Sequence, residues 1–150
     1  MKPKIEGFFE EFRFLSNFYP SEIFTSGLLW PTVEHAYQAH KTFNMAERRK
    51  ISKLATPGQA KKAGQKLELR EDWERSKVAV MGILLERKFE RPELRKALIE
   101  TFPFELEETN TWGDTFWGVC NGVGENHLGK LLMKIRGKLM EQEEEKRMSL

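Results

Sequence analysis

The chain has 150 residues, of which 39% are hydrophobic and 32% are charged, and its formal net charge at pH 7 is +2. This length and composition are those of one globular domain that can bury a substantial core. The near-neutral charge argues against a general nucleic-acid coat and leaves room only for a local basic patch.

The sequence gives little support to a disulfide-bonded, metal-binding or membrane-spanning protein. One cysteine, Cys120, excludes an internal disulfide and a cysteine-based zinc site. The three histidines have no recognisable ligand spacing, since His35 and His40 are five residues apart and fall on different helix faces. No signal-peptide pattern opens the chain and no apolar stretch is long enough to span a membrane, so we expect a cytoplasmic protein.

The first 30 residues predict short strands and turns. Ser16-Asn17 and Tyr19-Pro20-Ser21 are turn signals. Residues 22–25 and 28–30 flank Ser26-Gly27, and this pattern predicts a hairpin with a two-residue turn.

A helix over residues 33 to about 43 carries the most informative pattern of the chain. Thr32 is a good N-cap for this helix. Glu34, Gln38 and Lys41 follow the i, i+4, i+7 spacing, so an acid, an amide and a base share one face. The alternative is a solvated face with a glutamate near the positive end of the helix dipole.

Helices dominate the rest of the chain. Thr56, Pro57 and Gln59 form a helix start with a capping box, and Asp72 can cap the following helix. That following helix, which runs to Phe89, is apolar nearly all round, so we expect it to be central and buried. The predicted helices cover residues 33–43, 46–54, 57–67, 72–89, 92–100 and 126–140, and residues 104–108 predict a short strand.

Together these elements predict a mainly helical α+β fold. We expect one compact domain over residues 1–150, with a short N-terminal hairpin and about six helices. Residues 141–150 form a charged C-terminal tail that we expect to be solvated and frayed.

Two aromatic residues beside polar groups are candidates for stacking on a flat base. Phe18 follows Asn17 in a turn, where the amide can hydrogen-bond to the stacked base. Trp73 lies at a helix start and is flanked by charged residues. Packing in the core is the alternative for both aromatic side chains.

Residues 110–126 form a polar, glycine-rich loop before the last helix. Asp114 is a second carboxylate that can pair with Glu34. Gly118 lets backbone amides approach a ligand, and the helix start near Asn126 can bind an anion. The glycines fit no Walker or Rossmann pattern, so the phosphate site is a hypothesis.

Eight segments, taken in order, resemble the NADAR family, and such a set is far more specific than any single motif. They are Phe14–Pro20, Val33–Gln38, Thr56–Lys61, Arg70–Trp73, Lys88–Phe89, Leu94–Arg95, Asp114–Gly118 and Asn126–Met133. Residues 119–122 depart from the family, which often has a turn richer in glycine and aspartate.

The resemblance implies a small, mainly helical enzyme that hydrolyses N-glycosidic bonds without a metal or cofactor. One implied substrate type is the phosphorylated ribosylamino-pyrimidines early in riboflavin biosynthesis, whose cleavage gives ribose 5-phosphate and an aminopyrimidine. The other is ADP-ribose joined to guanine in DNA. In both, a ribose C1–N bond to a planar base breaks next to phosphate.

The resemblance also assigns roles to the candidate residues. Glu34 would stabilise the oxocarbenium-like transition state or act as a base, and Asp114 would orient the ribose or serve as the second acid or base. Lys41 would contact phosphate or form an imine with the opened sugar. The predicted substrate-binding residues are Arg13, Asn17, Phe18, Gln38, Lys62, Lys66, Trp73, Trp117, Gly118 and Asn126.

Three functions compete at this point. They are an N-glycosidase for free riboflavin intermediates, a hydrolase of ADP-ribosyl-guanine in DNA, and a non-catalytic module that binds ADP-ribose or NAD. The near-neutral charge favours a small ribosyl phosphate, whereas the lysines of the helix over residues 57–67 keep DNA open. The acids argue against a pure binding module, and the oligomeric state is left open.

Overall fold

The computed structural model describes residues 3–149. Within that range the strands are β1 (Lys4–Glu6), β2 (Ile23–Thr25), β3 (Leu28–Trp30), β4 (Glu105–Glu107), β5 (Thr109–Asn110) and β6 (Val119–Cys120). The α-helices are α1 (Val33–Ala39), α2 (Met45–Ser52), α3 (Pro57–Gln65), α4 (Trp73–Lys88), α5 (Pro92–Glu100) and α6 (His127–Met148), and a 3-10 helix covers Glu10–Leu15. The predicted mainly helical α+β class, with a hairpin and six α-helices, is confirmed.

Packing divides the described chain into two compact units. One unit comprises residues 3–16 and 89–149, which we call the terminal unit, and the other comprises residues 17–88, which we call the central unit. The single domain over residues 1–150 and the boundary of its tail at residue 141 stay predictions. Residues 1, 2 and 150 lie outside the described range.

The hairpin of the central unit forms as predicted. Strands β2 and β3 pair antiparallel, with Ile23 opposite Trp30 and Thr25 opposite Leu28. Ser26 and Gly27 have φ angles of 55° and 77°. Positive φ at both turn residues is what a two-residue turn needs to match the twist of the paired strands.

Helix α1 starts as predicted but ends earlier. Thr32 Oγ1 accepts a hydrogen bond from His35 N at 3.1 Å, which confirms the cap. The helix stops at Ala39, because the His40 ring bonds back to the Ala36 carbonyl at 2.6 Å and the chain then leaves through a tight turn. The prediction of a helix to residue 43 is therefore wrong.

Helices α3 and α4 each differ from expectation in one respect. Thr56 Oγ1 caps α3 by accepting from Gln59 N at 3.1 Å, but the Gln59 side chain bonds to Ala55 N rather than to Thr56 N. In α4 only one face is buried, and Ile83 on the other face is 54% exposed. The expectation that α4 is buried all round is wrong, because α1 and β2 pack on it and the opposite side faces solvent.

The terminal unit is tied together by pairings between distant parts of the chain. Strand β1 pairs parallel with β4, placing Ile5 opposite Leu106, and β5 pairs parallel with β6. Helix α6 packs against β4 and α5 and continues helically through the predicted tail to Met148, with its last turns exposed. None of the helices within residues 3–149 is long and apolar enough to cross a membrane.

Candidate active site

Glu34 lies in the first turn of α1 with its side chain almost fully buried, since only 7% of the residue is exposed. Its backbone N donates to Asn17 O at 3.1 Å, which fixes the turn at Asn17 against the start of α1. A helix N-terminus favours a carboxylate, but glutamates are rarely buried unless they are paired. The position therefore demands polar partners.

Gln38 supplies one partner from the next turn of α1. Its Nε2 donates to Glu34 Oε1 at 3.3 Å, and the residue is 4% exposed. Two buried acceptors belong to the same neighbourhood: Gln38 Oε1 and Asn17 Oδ1 have no hydrogen-bond partner within residues 3–149. Buried polar atoms without a partner are uncommon in folded proteins, so these two oxygens call for an explanation, of which a role in a functional site is one.

Lys41 lies beyond the end of α1 yet remains close to Glu34. Its Nζ is 5.8 Å from the centroid of the Tyr37 ring. Burial lowers the pKa of Lys41, the Glu34 carboxylate opposes this by raising it, and Lys61 and Lys77 lower it further. Lys41 thus interacts electrostatically with Glu34, and it does so from a turn rather than from the predicted helical stripe.

The other predicted residues of the central unit divide into buried and exposed. Trp73 is buried, with its ring centroid 5.2 Å from that of Tyr37, so the packing alternative holds for part of its surface. Phe18 is 41% exposed, and Lys62 and Lys66 are exposed on α3. Lys66 lines a pocket of about 530 Å³ together with residues 42–44, 47 and 67–71.

Lys61, which is not among the predicted site residues, lowers the pKa of Lys41 through its charge, whereas the predicted Lys62 is exposed. Lys61 is three residues before the buried Gly64 and adjacent to the buried Ala60. Helical periodicity places i and i+3 on one face, so this spacing is the signal that could have singled out Lys61.

The histidines within and directly after α1 have structural partners. The ring of His35 pairs with Thr32 Oγ1 at 2.8 Å and with Leu54 O at 3.0 Å, and burial lowers the pKa of His35. His40 pairs with Ser26 Oγ at 2.9 Å, and burial again lowers its pKa. Within the part of the chain that is described, no group of three potential ligands could hold a metal ion.

Asp114, in the terminal unit, shapes its own loop. Its Oδ1 accepts from Phe116 N at 3.1 Å and from Trp117 N at 2.9 Å. Its backbone N and O bond to the side-chain amide of Asn110. One carboxylate oxygen is therefore committed to the turn, and the pairing of Asp114 with Glu34 stays a prediction.

The start of α6 is filled by the protein itself. The backbone N–H groups of Asn126, His127 and Leu128 donate to the carbonyls of residues 118, 116 and 117. The Asn126 side chain links Glu108 N and Leu106 O at 3.0 and 2.9 Å. These groups already have partners, and a phosphate site at this loop stays a prediction.

Gly118 is required by its neighbours. A Cβ at Gly118 would overlap the carboxylate and the backbone oxygen of Glu108, so the strand β6 can approach only without a side chain there. Trp117 packs edge-on against Phe116 with 4.9 Å between ring centroids, and Arg13 is exposed in the last turn of the 3-10 helix. Substrate contacts by these residues stay predictions.

The family model described as NADAR domain matches residues 6–140, so the chain belongs to the NADAR family. The resemblance seen in the sequence is confirmed.

Individual relatives carry more specific names. The N-glycosidase YbiA of Shigella flexneri serotype 5b is 41% identical over 128 residues, which cover 83% of this chain and 79% of that protein. A riboflavin biosynthesis protein of Vibrio vulnificus, VVA0006, is 36% identical over 136 residues, covering 88% of this chain and 37% of that protein. The NMR structure of the Escherichia coli protein YbiA matches with a TM-score of 0.84 and 35% identity, covering 95% of this chain and 89% of that one.

Proposed function

We propose that the chain is an N-glycosidase that hydrolyses the C1–N bond between ribose and a planar base. Its proposed substrates are phosphorylated ribosylamino-pyrimidines of riboflavin biosynthesis, and its products are ribose 5-phosphate and an aminopyrimidine. Membership of the NADAR family, with relatives named as N-glycosidases and as a riboflavin biosynthesis protein, supports the class of reaction.

The buried carboxylate of Glu34 is the observation that carries the proposal. When the C1–N bond breaks, its electron pair leaves with the base nitrogen and positive charge develops on the sugar carbon. A carboxylate in a site of low dielectric stabilises that charge strongly. Water then forms the new C1–O bond and loses a proton, which Glu34 can accept and pass to the leaving nitrogen.

Lys41 has two proposed parts in this reaction. As an ammonium it binds the phosphate of the substrate. As a neutral amine it adds to C1 of the opened sugar, the base nitrogen leaves C1 with a proton as the free aminopyrimidine, and water then hydrolyses the lysine imine to release ribose 5-phosphate. The lowered pKa of Lys41 enlarges the neutral fraction at a given pH, which supports the second role without excluding the first. Asp114 is the proposed second acid or base, through the carboxylate oxygen that its turn does not use.

The proposed partner is therefore a small ribosyl phosphate, and the cytoplasm stays the predicted location. ADP-ribosylated guanine in DNA presents the same C1–N bond, so DNA is an alternative outcome of the test. A non-catalytic ADP-ribose module is the third outcome. One set of measurements distinguishes these three functions.

The assay compares the wild type with Glu34→Gln and with Glu93→Gln. Glu93 is the matched control because it occupies the same second position of α5 that Glu34 occupies in α1, but is exposed. Each protein is given the ribosylamino-pyrimidine phosphate and, separately, an oligonucleotide carrying ADP-ribosylated guanine. We expect Glu34→Gln to lower kcat on the pyrimidine by about a hundredfold or more, because it removes a group used in the transition state.

The control measures the effect of a helix dipole alone. Loss of a first-turn carboxylate costs about 0.3–1 kcal/mol of stability and leaves chemistry intact. If the two variants behave alike, Glu34 is only a helix-dipole residue. Activity on the oligonucleotide alone would move the substrate to DNA, and ADP-ribose binding without turnover on either would replace the enzyme by a binding module.

A further inference from the structure

Gly64 lies directly against the amide of Gln38. Helices α1 and α3 pack together, and Gly64 is buried within α3. A Cβ built on Gly64 would overlap Gln38 Oε1 and would come within 2.7 Å of Gln38 Cδ and 2.9 Å of Gln38 Cβ. A Cβ on Gly64 would clash with both the first and the last atoms of the Gln38 side chain, so a rotation of the amide group alone cannot remove the overlap.

The Gln38 amide has one orientation that suits its neighbours. Its Nε2 faces Glu34 Oε1 at 3.3 Å, and a carboxylate only accepts, so the nitrogen rather than the oxygen must point there. The oxygen is then turned toward the bare Cα of Gly64. The missing side chain at Gly64 is the space in which this orientation fits.

Ordinary helix energetics give no reason for a glycine at this position. Gly64 is the last residue but one of α3 and has no positive φ, so it is not the left-handed glycine that commonly ends a helix. Within helical backbone, glycine is less favourable than alanine. The three heavy atoms nearest to a Cβ built on Gly64 all belong to Gln38. A close approach between α1 and α3 explains the glycine, and the side chain at that approach is the one that holds Glu34.

We propose that Gly64 is a positioning residue, which keeps the Gln38 amide on the carboxylate of Glu34. The proposal rests on the proposed function for its effect on turnover, but its geometry does not. An alanine at this position displaces Gln38, and the carboxylate loses the hydrogen bond that sets its direction.

The first test is Gly64→Ala, with Gly137→Ala as the matched control. Gly137 lies in the interior of α6, and a Cβ there meets nothing within 4 Å, so its replacement probes helix propensity alone. We expect Gly64→Ala to lower kcat by about a hundredfold, as misplacement of a reacting group by about 1 Å can do, with KM changed far less. We expect Gly137→Ala to leave both constants at the wild-type level.

A double variant separates positioning from simple damage to the fold. In a Gln38→Ala background the overlapping atoms are gone, so adding Gly64→Ala should cause no further loss of kcat. If Gly64→Ala lowers kcat equally with and without Gln38, the residue acts on packing and the proposal is overturned. Gln38→Glu adds a pH readout, because a second carboxylate beside Glu34 should move the acid limb of the rate profile to higher pH.

A measurement without substrate keeps this inference separate from the proposed function. The side-chain amide of Gln38 gives its own pair of proton signals in a ¹⁵N-edited NMR spectrum. These signals should move in Glu34→Gln and in Gly64→Ala and stay in place in Gly137→Ala. Unmoved signals in Gly64→Ala would refute the positioning role, whereas moved signals with an active Glu34→Gln would refute the catalytic role of Glu34 instead.

Discussion

The start of α1 and the loop before α6 are both rich in polar side chains, but they use them differently. In the loop, Asp114 Oδ1 and the side-chain amides of Asn110 and Asn126 form hydrogen bonds with the backbone around them. At α1, the carboxylate of Glu34 is held by another side chain, and Gln38 Oε1 is buried with no hydrogen-bond partner among residues 3–149. Polar side chains that bond to the backbone and polar side chains that bond to one another look alike in a sequence, and only the structure distinguishes them.

Each of the two units also buries a positively charged side chain. Arg136 in the terminal unit donates to Thr101 Oγ1 at 2.9 Å and to Phe104 O at 2.8 Å, so its charge is met by oxygens. Lys88 in the central unit is fully buried, with its Nζ 5.7 Å from the centroid of the Tyr19 ring. Burial lowers the pKa of Lys88 to about 7, so its charge depends on pH near neutrality.

A large effect on turnover is expected when Lys41 is replaced. Lys41→Met removes a half-buried amine beside Glu34 and should lower kcat/KM by about tenfold to a hundredfold, the size of a lost charge-assisted hydrogen bond. A rise in KM alone would assign Lys41 to phosphate, and a fall in kcat would assign it to the chemistry. Steady-state kinetics measures both constants.

Lysine trapping decides the second of these roles. Borohydride added during turnover should leave a sugar adduct on Lys41, which mass spectrometry of the digested protein locates. The exposed Lys53 is the control and should remain unmodified. Turnover without any adduct at Lys41 would exclude the imine route.

The next effect concerns the loop. Asp114→Ala leaves Phe116 N and Trp117 N without their acceptor and should lower the free energy of unfolding by about 1–3 kcal/mol. Asp114→Asn retains an amide oxygen at the same place and should keep most of that stability. Urea unfolding measures both variants, and an equal loss in the two would mean that the negative charge, rather than the acceptor, holds the turn.

Lys88 should make the free energy of unfolding depend on pH. Its pKa is about 7 in the folded protein against 10.5 for the free group, so below pH 7 both states carry the proton. Above that pH the unfolded state binds more protons, and the free energy of unfolding should rise with pH by up to about 1.4 kcal/mol per pH unit. Lys88→Met should lack this contribution, and urea titrations between about pH 6 and pH 10 compare the two slopes. Parallel slopes would contradict the lowered pKa.

The smallest effect is expected at the cap of α1. Thr32→Ala removes the acceptor of His35 N and the partner of the His35 ring, and should lower the free energy of unfolding by about 1 kcal/mol. Thr32→Ser keeps the hydroxyl and serves as the control. A loss of similar size in Thr32→Ser would show that packing of the threonine methyl group matters more than the cap.

Local chemistry made much of the fold predictable. Thr32 and Thr56 cap their helices through hydroxyl groups, and Ser26-Gly27 adopts the turn that its residue types favour. The Pro92 helix has the bounds that its first and last residues suggested. Each of these features depends on neighbours within four residues, which a pattern in the sequence records.

Features set by distant contacts were not predictable. The end of α1 at Ala39 depends on His40, whose ring is held by the hairpin turn. The pairing of β1 with β4 joins Ile5 to Leu106, and short parallel strands leave little trace in composition. At the candidate site, helical spacing predicted Glu34 and Gln38. The charge of Lys61 beside Lys41 and the approach of Gly64 to Gln38 arise because α3 packs on α1, which the spacing within α1 cannot reveal.

The hydrogen bond between Ser26 Oγ and His40 Nε2, at 2.9 Å, joins the turn of the hairpin to the residue that follows α1. The ring of Trp30, in strand β3, lies 5.7 Å from the His40 ring and adds a second contact between the hairpin and His40. Opening the hairpin must therefore release the end of α1, and the backbone amides of His40 and Lys41 should exchange with solvent deuterium at the rate set by the hairpin. The order of Lys41 therefore depends on the β-turn at Ser26, 15 residues earlier in the chain.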